Sequence, residues 1–385
     1  MKVFYLGYYD LPNHGRKVSL AGVTMMEYVS GAIQQTGIQC IILSPAQSLK
    51  KQSAENIKLD DGIEVVFLPT ICKPPRKVNI FKRAYLKIRR EITLYKMLDS
   101  QVKDGDILIV YHSLLYIQVL RRLRKNKQFT LLLQVCEIYA DVLLSEKKKK
   151  KELKWIAEAD AYIFSTNNLE QSLNKGHKPS QVCLGTYTVE ENSVNKNNER
   201  ECIHVVYAGT FDPRKGGGQA AAAAAFLPSG YHVHIIGFGS QKEVQLLKEQ
   251  IEEVSMSSSC KVTYDGCFSG REYIEFIQHC DIGLCTQDPN AAFNATSFPS
   301  KILSYMSNGL SVVSAKVPAI VNSPVGDLIT YYDTQTPEEI AKAILKVNLE
   351  NKGSKEQVRI KELDKSFQEG IKSMLDGLFP NSGAK

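Results

Sequence analysis

The chain has 385 residues, is 43% hydrophobic and carries a formal net charge of +7. That length suits two or three domains, each with its own core. No window of about 18 uncharged apolar residues exists, so no transmembrane helix is expected. Nine cysteines, an odd number with no C-x-x-C pair, argue against a disulfide framework and point to reduced thiols in a cytoplasm. Charge is uneven. Through Glu190 there are 29 Lys+Arg against 18 Asp+Glu, net +11; the remainder holds 19 against 23, net −4. The first half therefore tolerates or faces something anionic.

In chain order, Val3 to Gly7 reads as a strand, too short and too soon followed by Asp10 to be a signal peptide. A loop from Asp10 to Ser19 leads into a helix over Val23 to Thr36. Cys40 to Leu43 and Ile63 to Leu68 read as strands. The segment Lys73 to Lys96 follows, in a helix reaching about Val102. Phe81, Tyr85, Ile88, Ile92 and Tyr95 recur at helical spacing, with Lys82, Arg83, Lys87, Arg89, Arg90 and Lys96 on other faces. A basic amphipathic helix of this kind either lies on anionic lipid or packs its stripe on its own domain. Ile107 to Tyr111 is a strand, Leu115 to Arg124 a helix and Thr130 to Val135 a strand. A helix over Lys148 to Ala157 includes part of a second basic run, Lys147 to Lys151, and Ala161 to Ser165 is a strand. Regular alternation of strand and helix predicts parallel sheets covered on both faces. Residues 188–201 are polar and aperiodic and read as a linker.

The second half repeats the pattern. His204 to Gly209 is a buried strand, followed by Thr210-Phe-Asp-Pro-Arg-Lys-Gly-Gly-Gly218 and a helix opened by Gln219 and six alanines, Ala220 to Ala225. Strand, glycine-rich turn and helix form the phosphate-binding arrangement of doubly wound sheets. The G-x-G-x-x-G fingerprint is missing, so a dinucleotide is not indicated. His232 to Ile236, Lys261 to Tyr264, Asp281 to Cys285 and Ser311 to Ser314 read as strands. Between the last two, the stretch Asn294 to Gly309 places Pro299 near the start of a short helix and Gly309 past its end. Ser297, Ser300 and Lys301 then surround a helix N-terminus, where free N–H groups and the dipole favour phosphate. The tail from about Ser354 is a polar helix.

Residues 200 to 335 resemble the C-terminal half of the family-4-type (group 1) glycosyltransferases, which have the GT-B fold. Gly209 and Lys215-Gly216 stand where that family's Gly-Arg-x-x-x-x-Lys-Gly loop has its glycine and lysine. Phe298-Pro299-Ser300-Lys301 through Gly309 resembles its second phosphate-binding element. The family's loop arginine falls on Thr210, with Arg214 nearby, and its two glutamates fall on Thr296 and Ser304. Neutral hydroxyls there bond more weakly than carboxylates.

The resemblance implies two Rossmann-like doubly wound domains facing a central cleft. They are an acceptor-binding domain over 1–187, a linker over 188–201, a nucleotide-sugar domain over 202–360 and a terminal helix over 361–385 crossing back. It implies transfer of a sugar from a nucleotide-diphospho-sugar, a UDP-sugar in the first place, to a glycan or lipid-linked saccharide. The product would serve cell-surface polysaccharide or glycoconjugate synthesis. Retention at the anomeric carbon is implied, with inversion through a base left open. Donor contacts would fall to Gly209, Thr210, Arg214, Lys215, Gly266, Phe268, Thr296, Ser300, Lys301 and Ser304, the base lying against Gly266 to Ser269.

Ligands bind beyond the carboxyl ends of strands in such sheets. That rule selects His112 and Glu137 as candidate proton-transfer groups, with Tyr139 beside them, and the loop with Asn13, His14, Gly15 and Arg16, which the resemblance implies lies on the acceptor side. Asp104-Gly-Asp106 imitates a metal-binding D-x-D motif, yet it precedes its strand and reads as a turn. His232 and His234 share a strand face and, with no acid or thiolate in view, read as packed. Neither a cofactor nor an essential metal is expected, and no RNA-binding strand or zinc finger suggests nucleic acid. The protein is expected in the cytoplasm, with peripheral contact through 73–96 and 147–151 at the inner face of the plasma membrane. A non-catalytic GT-B subunit and a nucleotide-sugar epimerase are the competing readings.

Overall fold

A computed structural model describes residues 2–48, 50–70, 79–142, 146–191, 202–289, 297–350 and 353–379. The chain divides into two compact units, Met1–Leu184 with Ser366–Lys385, and Gly185–Lys365. The division falls a few residues before the linker read from the sequence, of which 192–201 lie outside the described residues. It recurs inside the long helix Ser354–Leu378, whose second half belongs to the first unit.

The first unit holds strands β1 (Val3–Leu6), β2 (Cys40–Ser44), β3 (Glu55–Lys58), β4 (Glu64–Phe67), β5 (Ile107–Tyr111), β6 (Thr130–Val135), β7 (Ala161–Phe164) and β8 (Ser180–Val182). They form one sheet in the order β8-β7-β6-β5-β1-β2-β4-β3. Every pairing is parallel except β3 with β4. Parallel sheets are covered on both faces, and β1, β2 and β7 are accordingly buried at every residue. The edge strand β3 escapes a pattern search because it is polar, Glu-Asn-Ile-Lys, and is added to the sheet by antiparallel pairing with β4. Asp104-Gly105-Asp106 is a turn: Asp106 accepts from the Lys2 and Lys103 N–H groups, and Asp104 from that of Gln128.

The basic helix spans Ile80–Gln101; residues 71–78 lie outside the described part. Its stripe is divided. Leu94 and Leu98 are buried and Tyr95 packs against the core, whereas Ile80, Phe81, Tyr85 and Ile88 are 75%, 79%, 60% and 56% exposed. Lys147 to Lys151 lie on the helix Glu146–Ile156, whose Glu152, Trp155 and Ile156 are buried. Among the described residues no helix is long and apolar enough to cross a membrane.

The second unit holds β9 (Ile203–Thr210), β10 (Tyr231–Phe238), β11 (Lys261–Gly266), β12 (Ile282–Cys285), β13 (Ser311–Ala315) and β14 (Ile329–Tyr332), all parallel, in the order β11-β10-β9-β12-β13-β14. The alanine run lies under this sheet: Ala220, Ala221, Ala223 and Ala224 are fully buried, split between the helix Gly217–Ala222 and a 3-10 turn Ala223–Phe226. The helix Lys301–Ser307 is bolted to the sheet by Tyr305. That hydroxyl accepts from the Ala208 N–H (2.8 Å) and donates to the Leu284 carbonyl (3.3 Å). Its ring occupies the space where Gly283 has no side chain; a Cβ there would lie 2.3 Å from the ring. Gly283→Ala is therefore expected to cost about 1–3 kcal/mol through overpacking. A thermal melt should show it as a drop of roughly 2–4 °C per kcal/mol.

Candidate active site

In the second unit, the candidate site is built at the carboxyl end of β9. Its glycine-rich connection begins with a 3-10 turn, Pro213–Lys215, capped by Asp212, and the helix Gly217–Ala222 follows. The join at Gly216 has φ +82°, and a Cβ there would lie 1.6 Å from the Thr286 carbonyl oxygen, so no other residue fits. The Thr286 hydroxyl donates to the Gly216 carbonyl (2.7 Å). Tyr207, buried within β9, donates its hydroxyl to the carbonyls of Thr210 (2.9 Å) and Lys215 (3.1 Å). The loop is thus a rigid arch pinned at three points.

Lys301 opens the helix Lys301–Ser307, with Ser300 at its cap position and Gly309 past its end. Its ammonium stands 3.7 Å from the centre of the Tyr207 ring, and a Cβ on Gly209 would come within 2.8 Å of it. The bare backbone of Gly209 is what admits the charge. Burial pushes the Lys301 amine down to about 8, and the nearby charge of Lys215 acts in the same direction against the pull of Cys285. The carboxyl end of β9 therefore concentrates positive charge in a partly dry place, where Coulomb interactions are stronger than in water.

The other donor-side candidates scatter more widely. Arg214 forms a bidentate pair with Asp212 (Nε 3.0 Å, Nη2 2.7 Å), which raises the guanidinium and pulls the Asp212 carboxyl down to about 2. This pair holds the Arg214 side chain against its own loop. Ser304 shares a hydrogen bond with the Tyr273 hydroxyl (3.0 Å), and Ser300 is exposed. Gly266 closes β11, and the Phe268 ring is stacked on Phe276 at 4.7 Å. Thr296 lies outside the described residues. Gln287, two residues past β12, is buried with its amide nitrogen unpartnered among the described residues. The strand-end rule that selected His112 would have selected it too.

In the first unit the strand ends of β5 and β6 bring His112 and Tyr139 together, rings stacked at 5.4 Å. Beneath them lies Glu152, a residue the sequence reading passed over inside a basic segment. It is fully buried and accepts from His112 Nε2 (2.7 Å), Tyr139 N–H (3.0 Å) and Ala140 N–H (2.9 Å). Burial alone would raise this carboxyl, but the three donors outweigh it and hold Glu152 below its ordinary value. The signal was present: Glu152 sits at i−3 and i−4 from Trp155 and Ile156, on the face that must turn inward. With Nε2–H committed to Glu152, His112 Nδ1 is buried and without a partner among the described residues. Glu137 follows β6 in the same cluster and is half-buried.

The loop after β1 is held by its own residues. Asp10 accepts from the Arg16 N–H (2.6 Å) and pairs with His14 (2.7 Å), which also meets Glu55 (3.2 Å). Asn13 and Gly15 take positive φ, 62° and 89°, to make the turn. Arg16, expected on the acceptor side, is 7% exposed; its Nη1 donates to the carbonyls of Ala46 and Leu68, and its guanidinium lies over Phe67 at 4.7 Å. These bonds brace the loop, while its Nε and Nη2 are buried and without a partner among the described residues.

The histidine reading needs correction. His232 and His234 are joined by His204 from β9, His234 meets Asp265 (3.1 Å), and His204 meets the Cys202 sulfur (3.4 Å). The acid and the thiol are remote in sequence, and sheet pairing brings them in.

No protein-family model and no curated sequence matches the chain. Solved structures do. Trehalose-6-phosphate synthase from E. coli bound with UDP-2-fluoro glucose aligns with a TM-score of 0.69 and 12% identity, covering 98% of this chain and 99% of that one. Sucrose-phosphate synthase from Thermosynechococcus elongatus aligns at 0.73 and 14% over the same shares. HepE from Anabaena, in complex with UDP and glucose, aligns at 0.67 and 14%, again over 98% and 99%. The chain has the GT-B fold of two Rossmann-like units.

Glu152→Ala is expected to destabilise the first unit by about 1.5–3 kcal/mol, the range for hydrogen bonds to a charged group. Because the folded-state pKa lies below the unfolded 4.5, this contribution is complete above the unfolded value and fades as pH falls through the folded one. Urea melts at pH 7 and pH 4 should show the gap between wild type and variant narrowing in acid.

Proposed function

We propose that this protein is a glycosyltransferase that moves a sugar from a nucleotide-diphospho-sugar to a hydroxyl of a glycan or lipid-linked saccharide. The observation that carries the reading is the Lys301 ammonium, seated on Tyr207 against the bare backbone of Gly209, with Lys215 in the adjoining arch. Two positive charges at the carboxyl end of a central strand fit the departing diphosphate. Stabilising charge where it develops is usually the largest catalytic contribution. A UDP-sugar is the proposed donor, in keeping with the UDP-containing ligands of two of the aligned structures. The ammonium groups supply the positive charge, so the proposed chemistry runs without a metal.

In the retaining course that the resemblance implies, the bond from the anomeric carbon to the diphosphate oxygen breaks. The acceptor oxygen bonds to that carbon on the same face, and the acceptor proton passes to the departing diphosphate. His112 and Glu137 are the proposed groups at the acceptor hydroxyl. The role of His112 rests on Glu152 fixing its tautomer and leaving Nδ1 as a lone-pair nitrogen. Asn13, His14 and Gly15 are the proposed acceptor-side backbone.

The site is tested with a panel of UDP-, GDP- and ADP-sugars, reading thermal shift and nucleoside diphosphate release. Lys301→Ala should lower kcat/KM by about 10²–10³, the cost of removing one such donor. Wild-type affinity for the diphosphate should be greatest below pH 8 and fall by up to about tenfold per pH unit above it, because the free protein loses the Lys301 proton there. A flat profile through that range, or an unchanged Lys301→Ala variant, would count against the assignment.

We also propose that the chain works in the cytoplasm, peripheral to an anionic membrane, in cell-surface polysaccharide or glycoconjugate synthesis. The support is the outer half of the helix Ile80–Gln101, which shows Phe81, Tyr85 and Ile88 to solvent between Lys82, Arg83, Lys87, Arg89 and Arg90. Exposed apolar side chains flanked by cations bind anionic interfaces. Co-sedimentation with vesicles containing anionic lipid should fall in a Phe81→Ser, Ile88→Ser variant, and wild type should not bind neutral vesicles.

A further inference from the structure

At the other end of the same sheet, three histidines converge. His204 lies at the start of β9, and His232 and His234 at the start of β10; His204 is opposite His232 in the register, and His234 is opposite Thr263 of β11. With side chains alternating, His204, His232, His234, Thr263 and Asp265 share one face. One nitrogen of each histidine lies within 4.8 Å of the others, and His204 Nδ1 stands 2.9 Å from His234 Nε2.

The outer nitrogens are all occupied. His234 Nδ1 meets Asp265 Oδ2 (3.1 Å), and His204 Nε2 meets Cys202 Sγ (3.4 Å). Thr263 spends its one proton on Asp265, so its oxygen accepts from His232 Nε2–H at 2.9 Å. A carboxylate holding the far N–H of an imidazole, as Asp265 holds that of His234, is a pattern that orients metal-bound histidines. His204 Nδ1 and His234 Nε2 share either a proton, with the Cys202 thiol then donating to His204 Nε2, or, where both nitrogens present lone pairs, a metal ion.

We propose that His204, His232 and His234 bind one divalent ion of the zinc class. Imidazole nitrogens suit this class, and zinc bonds them at about 2.0–2.1 Å, which sets ligand nitrogens roughly 3.3–3.5 Å apart. The spacings here, 2.9 Å to at most 4.8 Å, straddle that value. The ion ties β9 to β10, and Asp265 of β11 orients His234. It lies five residues along β9 from Gly209, about 16 Å away, and at the amino rather than the carboxyl strand ends, so its role is structural and separate from the Lys301 site.

The test uses the full chain stripped with chelator, titrated with zinc by calorimetry and followed by thermal melting. Wild type should take up one zinc and melt higher with it. His204→Asn and His232→Gln should each lose both effects, and Asp265→Asn should bind about 10–100-fold more weakly. Cobalt in place of zinc should give wild type a tetrahedral visible spectrum, an outcome that does not depend on any variant folding. The thermal shift caused by UDP should be the same with and without zinc. Absence of stoichiometric zinc, equal binding by wild type and the histidine variants, or an octahedral cobalt spectrum would overturn the proposal and leave a proton shared between His204 and His234.

Discussion

The second unit is organised around the placement of an ammonium group on the ring of Tyr207. Lys301 can lie there only because Gly209 has no side chain, because Tyr305 bolts the short helix of Lys301 to the sheet, and because Gly283 leaves room for that bolt. The same Tyr207 ties down the glycine-rich arch through its hydroxyl. One aromatic residue thus fixes both the loop and the charge. Drying of that charge costs solvation, which appears as the lowered lysine pKa.

The first unit solves a comparable problem with the opposite sign. Glu152 is carried into the core by the helix whose outer surface is a run of lysines, and three donors converge on it. Its charge is satisfied wholly by hydrogen bonds, as a buried carboxylate requires. His112 is the beneficiary. The loop after β1 follows the same economy, with Asp10 gathering Arg16 and His14 so that a turn with two positive-φ residues holds its shape.

Much of this was legible from sequence. Strand and helix alternation, the alanine run lying under the sheet, and the helix between Pro299 and Gly309 follow from local rules that act within a few residues. So did the approximate seats of Lys215, Lys301 and His112, because the ends of parallel strands are where side chains and backbone are left unpaired. The edge strand Glu55–Lys58 was not legible, since its polar residues carry no alternating pattern and its place is set by pairing with another strand. Neither was the division of the basic helix into a buried end and an exposed end. Spacing shows that a stripe exists, not how far the partner surface extends.

By itself, the sequence determined the parallel α/β architecture, the glycine-rich connection after β9 and the ends of strands at which chemistry is to be sought. Those properties depend on periodicity and backbone preference, which are local. Tertiary structure alone decided that Lys301 rests on Tyr207, that Glu152 reaches His112 across 40 residues, and that His204, His232 and His234 meet beside Asp265. Each of these contacts is made by strand register and helix docking between segments far apart in the chain. No residue type or short spacing encodes a distance that only the closed sheet creates.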